Sequence, residues 1–164
     1  MALDIRLARD DELEAVGALT VDGYRADGLM LEEDSYFKEL ADAARRAREA
    51  ELWVAADGPE LLGSVTYCGP GSSYAELAGE REGEFRMLAV AKAARRRGAG
   101  LALVRRCIAR SEELGHDGMV LSSLPEMKAA HRLYEGLGFA RALERDWTPV
   151  PGVTLWAFHL PLPH

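Results

Sequence analysis

Between Glu84 and Phe139 the spacing of apolar residues changes period several times, and this restricts the chain to a layered α/β fold. Glu84–Val90 (EFRMLAV) is rich in strand formers. A basic, glycine-containing turn follows at Ala91–Gly100, after which Leu101, Val104 and Ile108 recur at helical spacing to about Leu114. Gly118–Leu124 (GMVLSSL) returns to a strand, which Pro125 stops. Met127, Ala130, Leu133, Tyr134 and Leu137 then mark a helix over Glu126–Leu137, with Gly138 where a helix C-cap belongs.

The same rules organise the rest. Leu3–Ala8 alternates apolar and charged residues, as a half-buried strand does, and Asp10 or Asp11 is placed to cap a helix reaching about Ala26. One further helix is predicted from Leu31 to Ala50. Tyr36, Phe37, Leu40, Ala44 and Ala47 form its inner stripe, with Arg45, Arg46 and Arg48 mostly on its wet side. Glu51–Ala56 and Leu61–Tyr67 flank Asp57-Gly58-Pro59, a hairpin signal. Cys68–Gly83 is polar, acidic and glycine-rich, and reads as a long mobile loop able to touch a substrate. Phe139–Arg145 and Thr154–Leu160 close the chain as strands, joined by a loop containing Trp147, Pro149 and Pro151. The predicted order is βααβββαβαββ, a mixed central sheet of about seven strands flanked by about four helices. No linker or repeat divides it, so residues 1–164 read as one domain.

Charge narrows the function. Against 20 Lys and Arg stand 27 Asp and Glu, a formal net charge of −7, and such a surface repels a nucleic-acid backbone. No apolar run approaches the roughly 18 residues needed to cross a bilayer, and the first ten residues lack a signal peptide's apolar centre, so a cytoplasmic protein is expected. Cys68 and Cys107 lie far apart with no metal-ligand spacing, which leaves them as small hydrophobes and predicts no metal site.

Against this acidic background Arg95-Arg96-Arg97-Gly98-Ala99-Gly100 stands out, between a strand and a helix. Glycines there let backbone N–H groups approach an anion, the helix N-terminus adds about half a positive charge, and arginines add forked phosphate donors. The turn therefore reads as a pyrophosphate site. It is not a Walker loop, since no Gly-Lys-Ser/Thr follows at the required spacing. Nor is it a dinucleotide fingerprint, since the third glycine position is Leu103.

Two segments carry a resemblance to a known family. Leu88-Ala89-Val90 followed by Arg95-x-x-Gly98-x-Gly100 is similar to the acyl-CoA-binding motif of the GNAT superfamily of N-acetyltransferases, and Ala130–Phe139 (AHRLYEGLGF) resembles that family's A-x-x-L-Y-x-x-x-G-F segment. The resemblance implies acetyl-CoA as co-substrate. Leu88, Ala89 and Val90 would lie along its pantetheine arm, and Arg95, Arg96, Arg97, Gly98, Ala99, Gly100 and Leu101 around its pyrophosphate. By periodicity Tyr134 is first a core aromatic; the resemblance adds a role as the acid that protonates the departing thiolate. Glu84, at the start of its strand, resembles the position of a base for the incoming amine, with Glu80 and Glu82 as weaker attractors of a cation. Departures are Met127, where the family often has Asn, for which Ser122 or Ser123 would substitute, and Lys92, where proline is common. His116 and His131 read as solvent-facing, and no histidine, acid and hydroxyl stand at the spacing of a hydrolase triad.

The implied activity is transfer of an acetyl group to a primary amine of a small molecule or peptide, directly within a ternary complex. A non-catalytic acyl-CoA sensor or partner module of the same fold is the alternative, and an unliganded structural domain a third reading. Expected partners are acetyl-CoA and an amine acceptor, with no nucleic acid and no membrane. The Trp147–Trp156 hairpin leaves a homodimer open.

Overall fold

A computed structural model describes residues 3–26 and 34–163. These residues form eight strands and five α-helices: β1 (Asp4–Leu7), α1 (Leu13–Ala26), α2 (Asp34–Ala41), α3 (Ala43–Glu49), β2 (Glu51–Asp57), β3 (Glu60–Cys68), β4 (Glu82–Val90), α4 (Ala99–Glu113), β5 (Gly118–Ser123), α5 (Lys128–Gly136), β6 (Ala140–Arg141), β7 (Trp147–Val150) and β8 (Val153–Pro161). The sheet runs β1-β2-β3-β4-β5-β8-β6, with β7 paired to β8 outside that path. Every pairing is antiparallel except β4 with β5, whose connection runs through α4.

The main core lies between the sheet and the pair α4 and α5. Ala99, Leu103, Val104, Cys107 and Ser111 form the buried face of α4. They meet Leu62, Val65 and Tyr67 from β3, Phe85 from β4, Met119 and Leu121 from β5, and Phe158 from β8. Leu103 and Val104 are fully buried, and truncating Leu103 to alanine would cost about 3 kcal/mol. On the opposite face α1 crosses β3 and β4, with α2 and α3 beside it. Among the described residues no helix is long and apolar enough to cross a membrane.

Five expectations change. The helix predicted over Leu31–Ala50 is two helices among the described residues, its first three positions lying outside them, because the Asp42 side chain accepts the Arg45 N–H and starts α3 afresh. The restart rotates Arg46 inward: it is 0 % exposed, and its guanidinium donates to the carbonyls of Glu39 and Leu40, which end α2. At the first helix, Asp10 and Asp11 do not cap but lie in a short 3-10 turn, while Glu12 closes on the Arg9 N–H at 2.8 Å. The loop containing Trp147 and Pro149 holds β7, a strand short enough and near enough to the sheet's edge to admit a proline. Only Ala140–Arg141 of the strand predicted over Phe139–Arg145 pairs, the rest turning into a 3-10 helix.

Candidate active site

The parallel pairing of β4 and β5 spans only Glu82, Gly83 and Glu84 opposite Gly118, Met119 and Val120. Beyond Glu84, β4 continues with β3 and β5 continues with β8, so the two inner edges diverge into a wedge. Along this edge the backbone N–H and C=O groups of β4 have no strand partner among the described residues and can pair with a ligand instead. The ladder to β3 skips from Thr66 opposite Arg86 to Ser64 opposite Ala89, a bulge at Met87 and Leu88. Met87 adopts φ +56° there. Bulges bend a strand and re-aim its side chains, and they recur next to active sites.

At its far end β4 leads into the arginine turn. The first intrahelical bond of α4 runs from the Ala102 N–H to the Gly98 carbonyl at 3.0 Å, so the N–H groups of Ala99, Gly100 and Leu101 precede the ladder. Gly98 takes φ +82° at the cap, a conformation glycine reaches without strain. A Cβ on Gly100 would meet only ordinary contacts, 3.5 Å from Val90 Cγ2 and 3.8 Å from Leu133 Cδ2. The protein's own packing therefore does not demand a glycine there. Arg96 has φ +72°, and Met87 and Arg96 are the only non-glycine residues with positive φ among the described residues. Both lie on this path, and strain of this kind clusters at functional sites.

The three arginines diverge. Arg95 and Arg96 are exposed, with an Arg95 guanidinium nitrogen 3.5 Å from the Gly23 carbonyl. Arg97 turns back to the β2–β3 hairpin, where it donates to Asp57 Oδ2 at 2.8 Å and Glu60 Oε1 at 3.1 Å. Its charge is shared with two carboxylates.

Tyr134 lies on α5 under the wedge. Its ring meets Phe85, Phe139 and Phe158 edge-on at centroid distances of 5.7, 6.1 and 6.0 Å, which fixes its orientation. It is 4 % exposed, and burial pushes its hydroxyl well above the ordinary tyrosine range, so it stays protonated at neutral pH.

Glu84 is 0 % exposed and anchors the loop between β3 and β4: its Oε1 accepts the N–H groups of Glu76, Leu77 and Ala78 at 2.9, 2.9 and 3.0 Å. Oε2 is buried with no hydrogen-bond partner among the described residues. This loop, expected to be mobile, is further pinned by buried Tyr74, by Ser72 and Ser73 on Glu49, and by Arg86 on the Tyr74 carbonyl. Glu82 is held by Arg145 at 2.8 Å. Sequence reasoning did not single out Arg86 or Glu76, which meet Tyr24 and Tyr36 on this face. Arg86 Nη2 lies 2.8 Å from Glu76 Oε1, and the rings of Tyr24 and Tyr36 stand edge-on at 6.2 Å. Burial raises both tyrosine hydroxyls, and the neighbouring hydroxyls of Tyr36 and Tyr134 add to the rise at Tyr24.

Three details complete the surroundings. His131 is buried rather than solvent-facing: it stacks on Trp156 at 5.6 Å and lies 3.0 Å from Ser123 Oγ, and burial lowers its pKa. Ser122 accepts the Trp147 indole N–H at 3.1 Å, so both serines at the end of β5 already have partners. Cys68 and Cys107 are buried and unpaired, and burial pushes Cys68 up to about 12, too high for a ready nucleophile.

Comparisons with known proteins agree with this fold. Residues 13–139 match the Acetyltransferase (GNAT) family, whereas no curated protein matches the chain. Among solved structures, a GCN5-related N-acetyltransferase from Kribbella flavida is 26% identical with a TM-score of 0.72, over 98% of each chain. An acetyltransferase of the GNAT family from Staphylococcus aureus Mu50 superposes with a TM-score of 0.78 at 14% identity, over 99% of this chain and 100% of that one. YncA of Salmonella typhimurium, a putative acetyltransferase solved with its cofactor acetyl-CoA, gives a TM-score of 0.71 at 18% identity, over 100% of this chain and 96% of the other.

Proposed function

Because the chain belongs to the Acetyltransferase (GNAT) family, we propose that it is one domain, residues 1–164, that moves an acetyl group from acetyl-CoA to a primary amine of a small molecule or peptide within a ternary complex. The observation that carries this is the wedge between β4 and β5, whose β4 edge leads through the turn at 91–98 to the N–H groups that open α4. A long ligand with an amide-bearing arm and a diphosphate head matches it: the arm pairs with the free edge of β4 at Leu88, Ala89 and Val90, and the diphosphate takes the amides of Gly98, Ala99, Gly100 and Leu101. Arg95 and Arg96 add charge to that head, while Arg97 contributes mainly by holding the turn against the hairpin.

Bound acetyl-CoA supplies an activated acyl group as a thioester. The free β4 edge holds the acyl end in line with the amine, which converts encounter into orientation. In this reading, backbone N–H groups at the bulge meet the charge developing on the carbonyl oxygen. Tyr134 keeps its proton until the thiolate departs and then donates it. Burial raises both cysteine thiols far above neutrality, so transfer goes directly to the amine.

Thermal stability with added ligands tests the donor site. A native-state ligand at a hundredfold excess over its Kd stabilises by about 2.7 kcal/mol, which raises Tm by roughly 5–10 °C for a chain of this size. Acetyl-CoA is expected to do so and ATP and NAD are not. Thiol release from acetyl-CoA over a panel of polyamines, amino acids, aminoglycosides and peptides then separates an enzyme from a module that only binds: stabilisation without thiol release on any amine defeats the catalytic reading.

A further inference from the structure

We infer that Glu76, on the loop before β4, is the carboxylate that receives the acceptor's ammonium group and its proton, with Glu84 as the positioning residue that holds that loop in place. The inference rests on the acetyl-transfer reading and names the acceptor half of the same cleft.

Glu84 is poorly suited to exchange protons with a substrate. Its Oε1 is occupied by three backbone N–H groups, and the whole side chain is sealed from solvent. Glu76 retains 28 % of its side-chain exposure. One of the three amides fixed by Glu84 is Glu76's own, so the buried carboxylate sets where the outer one stands. Arg86 fixes it from β4 with the 2.8 Å ion pair. From there a series of polar side chains leads toward Tyr134. Arg86 acts on the hydroxyls of Tyr36 and Tyr24, and Tyr24 lies within the field of Tyr134. One end of this line is a carboxylate, and the other is the tyrosine assigned to protonate the thiolate. An amine held between them has a proton acceptor behind it and the acyl carbon ahead.

The groups facing Glu76 are Arg86 and Glu84 from β4, Glu39 and Tyr36 from α2, and Cys68 from β3. Burial raises its carboxyl above the ordinary range, Arg86 opposes the rise, and Glu84 and Glu39 add to it. A raised carboxyl is the better proton acceptor. Three carboxylates around one guanidinium also leave the site net negative, which favours a cationic amine without a second carboxylate beside its nitrogen.

In the reaction the ammonium gives one proton to Glu76, and the freed lone pair forms the C–N bond as the C–S bond breaks. The nitrogen's second proton reaches the departing sulfur by way of Tyr134, and Glu76 releases the first to solvent. Ammonium and thioester thus become acetamide, thiol and one proton.

The test is kcat/KM against pH with the fastest amine from the panel, for the parent and for Glu76→Gln, Glu76→Asp and Glu84→Gln. Glu76→Gln is expected to lose about 100-fold in kcat near neutrality and to lose the acidic limb of the profile, and Glu76→Asp to restore both in part. Glu84→Gln keeps the limb and raises KM for the amine. Across the panel, amines without a neighbouring carboxylate rank above amino acids. A Glu76→Gln variant within twofold of the parent, with the same limb, overturns this assignment alone, and so does the opposite ranking of acceptors. Absence of transfer to any amine overturns the acetyltransferase reading and this one with it.

Discussion

The two sides of the cleft are made of different material. On the side assigned to the coenzyme, the groups proposed to face a ligand are main-chain: a strand edge from Phe85 to Val90 and the opening amides of α4. They are supplied by one continuous stretch of chain. On the acceptor side they are side chains, drawn from α1 (Tyr24), α2 (Tyr36), a loop (Glu76), β4 (Arg86) and α5 (Tyr134), positions as far apart as 24 and 134. A backbone site tolerates wide change in its side chains so long as the strand and turn keep their shape. A side-chain site can be retuned by single substitutions.

The largest effect that would sharpen this comparison lies at Tyr134. Tyr134→Phe removes only the hydroxyl, leaving the edge-on contacts to Phe85, Phe139 and Phe158 in place. Because burial holds that hydroxyl protonated, its loss should lower kcat by about 100-fold without adding or removing a basic limb below pH 10, and Tm should stay within about 2 °C. A parent-like kcat would reduce Tyr134 to a packing residue and shift the acceptor side's acid elsewhere.

How far each side could be read in advance follows from the same contrast. Arg95-x-x-Gly98-x-Gly100 is local: a strand, a turn and a helix written within about 20 residues, whose order alone implies free amides. Pattern therefore reached the order of the central elements and the glycine turn that opens α4. It did not reach Arg86 or Glu76, because nothing near them in the chain signals that Tyr24 and Tyr36 arrive from another layer. Arg46 shows the same blindness in the fold. Its place on the wet side follows from one uninterrupted helical period, and a single aspartate at position 42 resets that period and buries it. His131 faces away from the Tyr134 stripe on its helix, yet Trp156 from β8 closes over it. Pro149 and Pro151 made a loop the natural reading of a segment that the sheet's edge could still accept as a strand.

Weaker but more discriminating is the pair Arg95→Ala and Arg96→Ala. Both side chains are exposed at the turn, so each is expected to act as a screened charge on the pyrophosphate. The double variant should weaken acetyl-CoA binding about tenfold at low salt and less at 0.5 M, measured by titration calorimetry, with kcat at saturation unchanged. A fall in kcat instead would mean that these arginines shape the strand edge as well as hold charge.

Arg97→Ala should do least to the coenzyme, although the sequence alone groups it with its two neighbours. Its guanidinium donates to Asp57 and Glu60, two partly exposed carboxylates, and an exposed pair of this kind contributes about 1 kcal/mol or less. The variant is therefore expected to lower Tm by roughly 2–4 °C while acetyl-CoA binds within twofold of the parent. That separation matters for the backbone account. If main-chain amides dominate the grip on the diphosphate, removing a nearby cation already committed elsewhere leaves the grip almost intact. A tenfold loss of affinity at Arg97 would show that it leaves Asp57 and Glu60 when the coenzyme arrives, and the coenzyme side of the cleft would then depend on side chains as much as the acceptor side does.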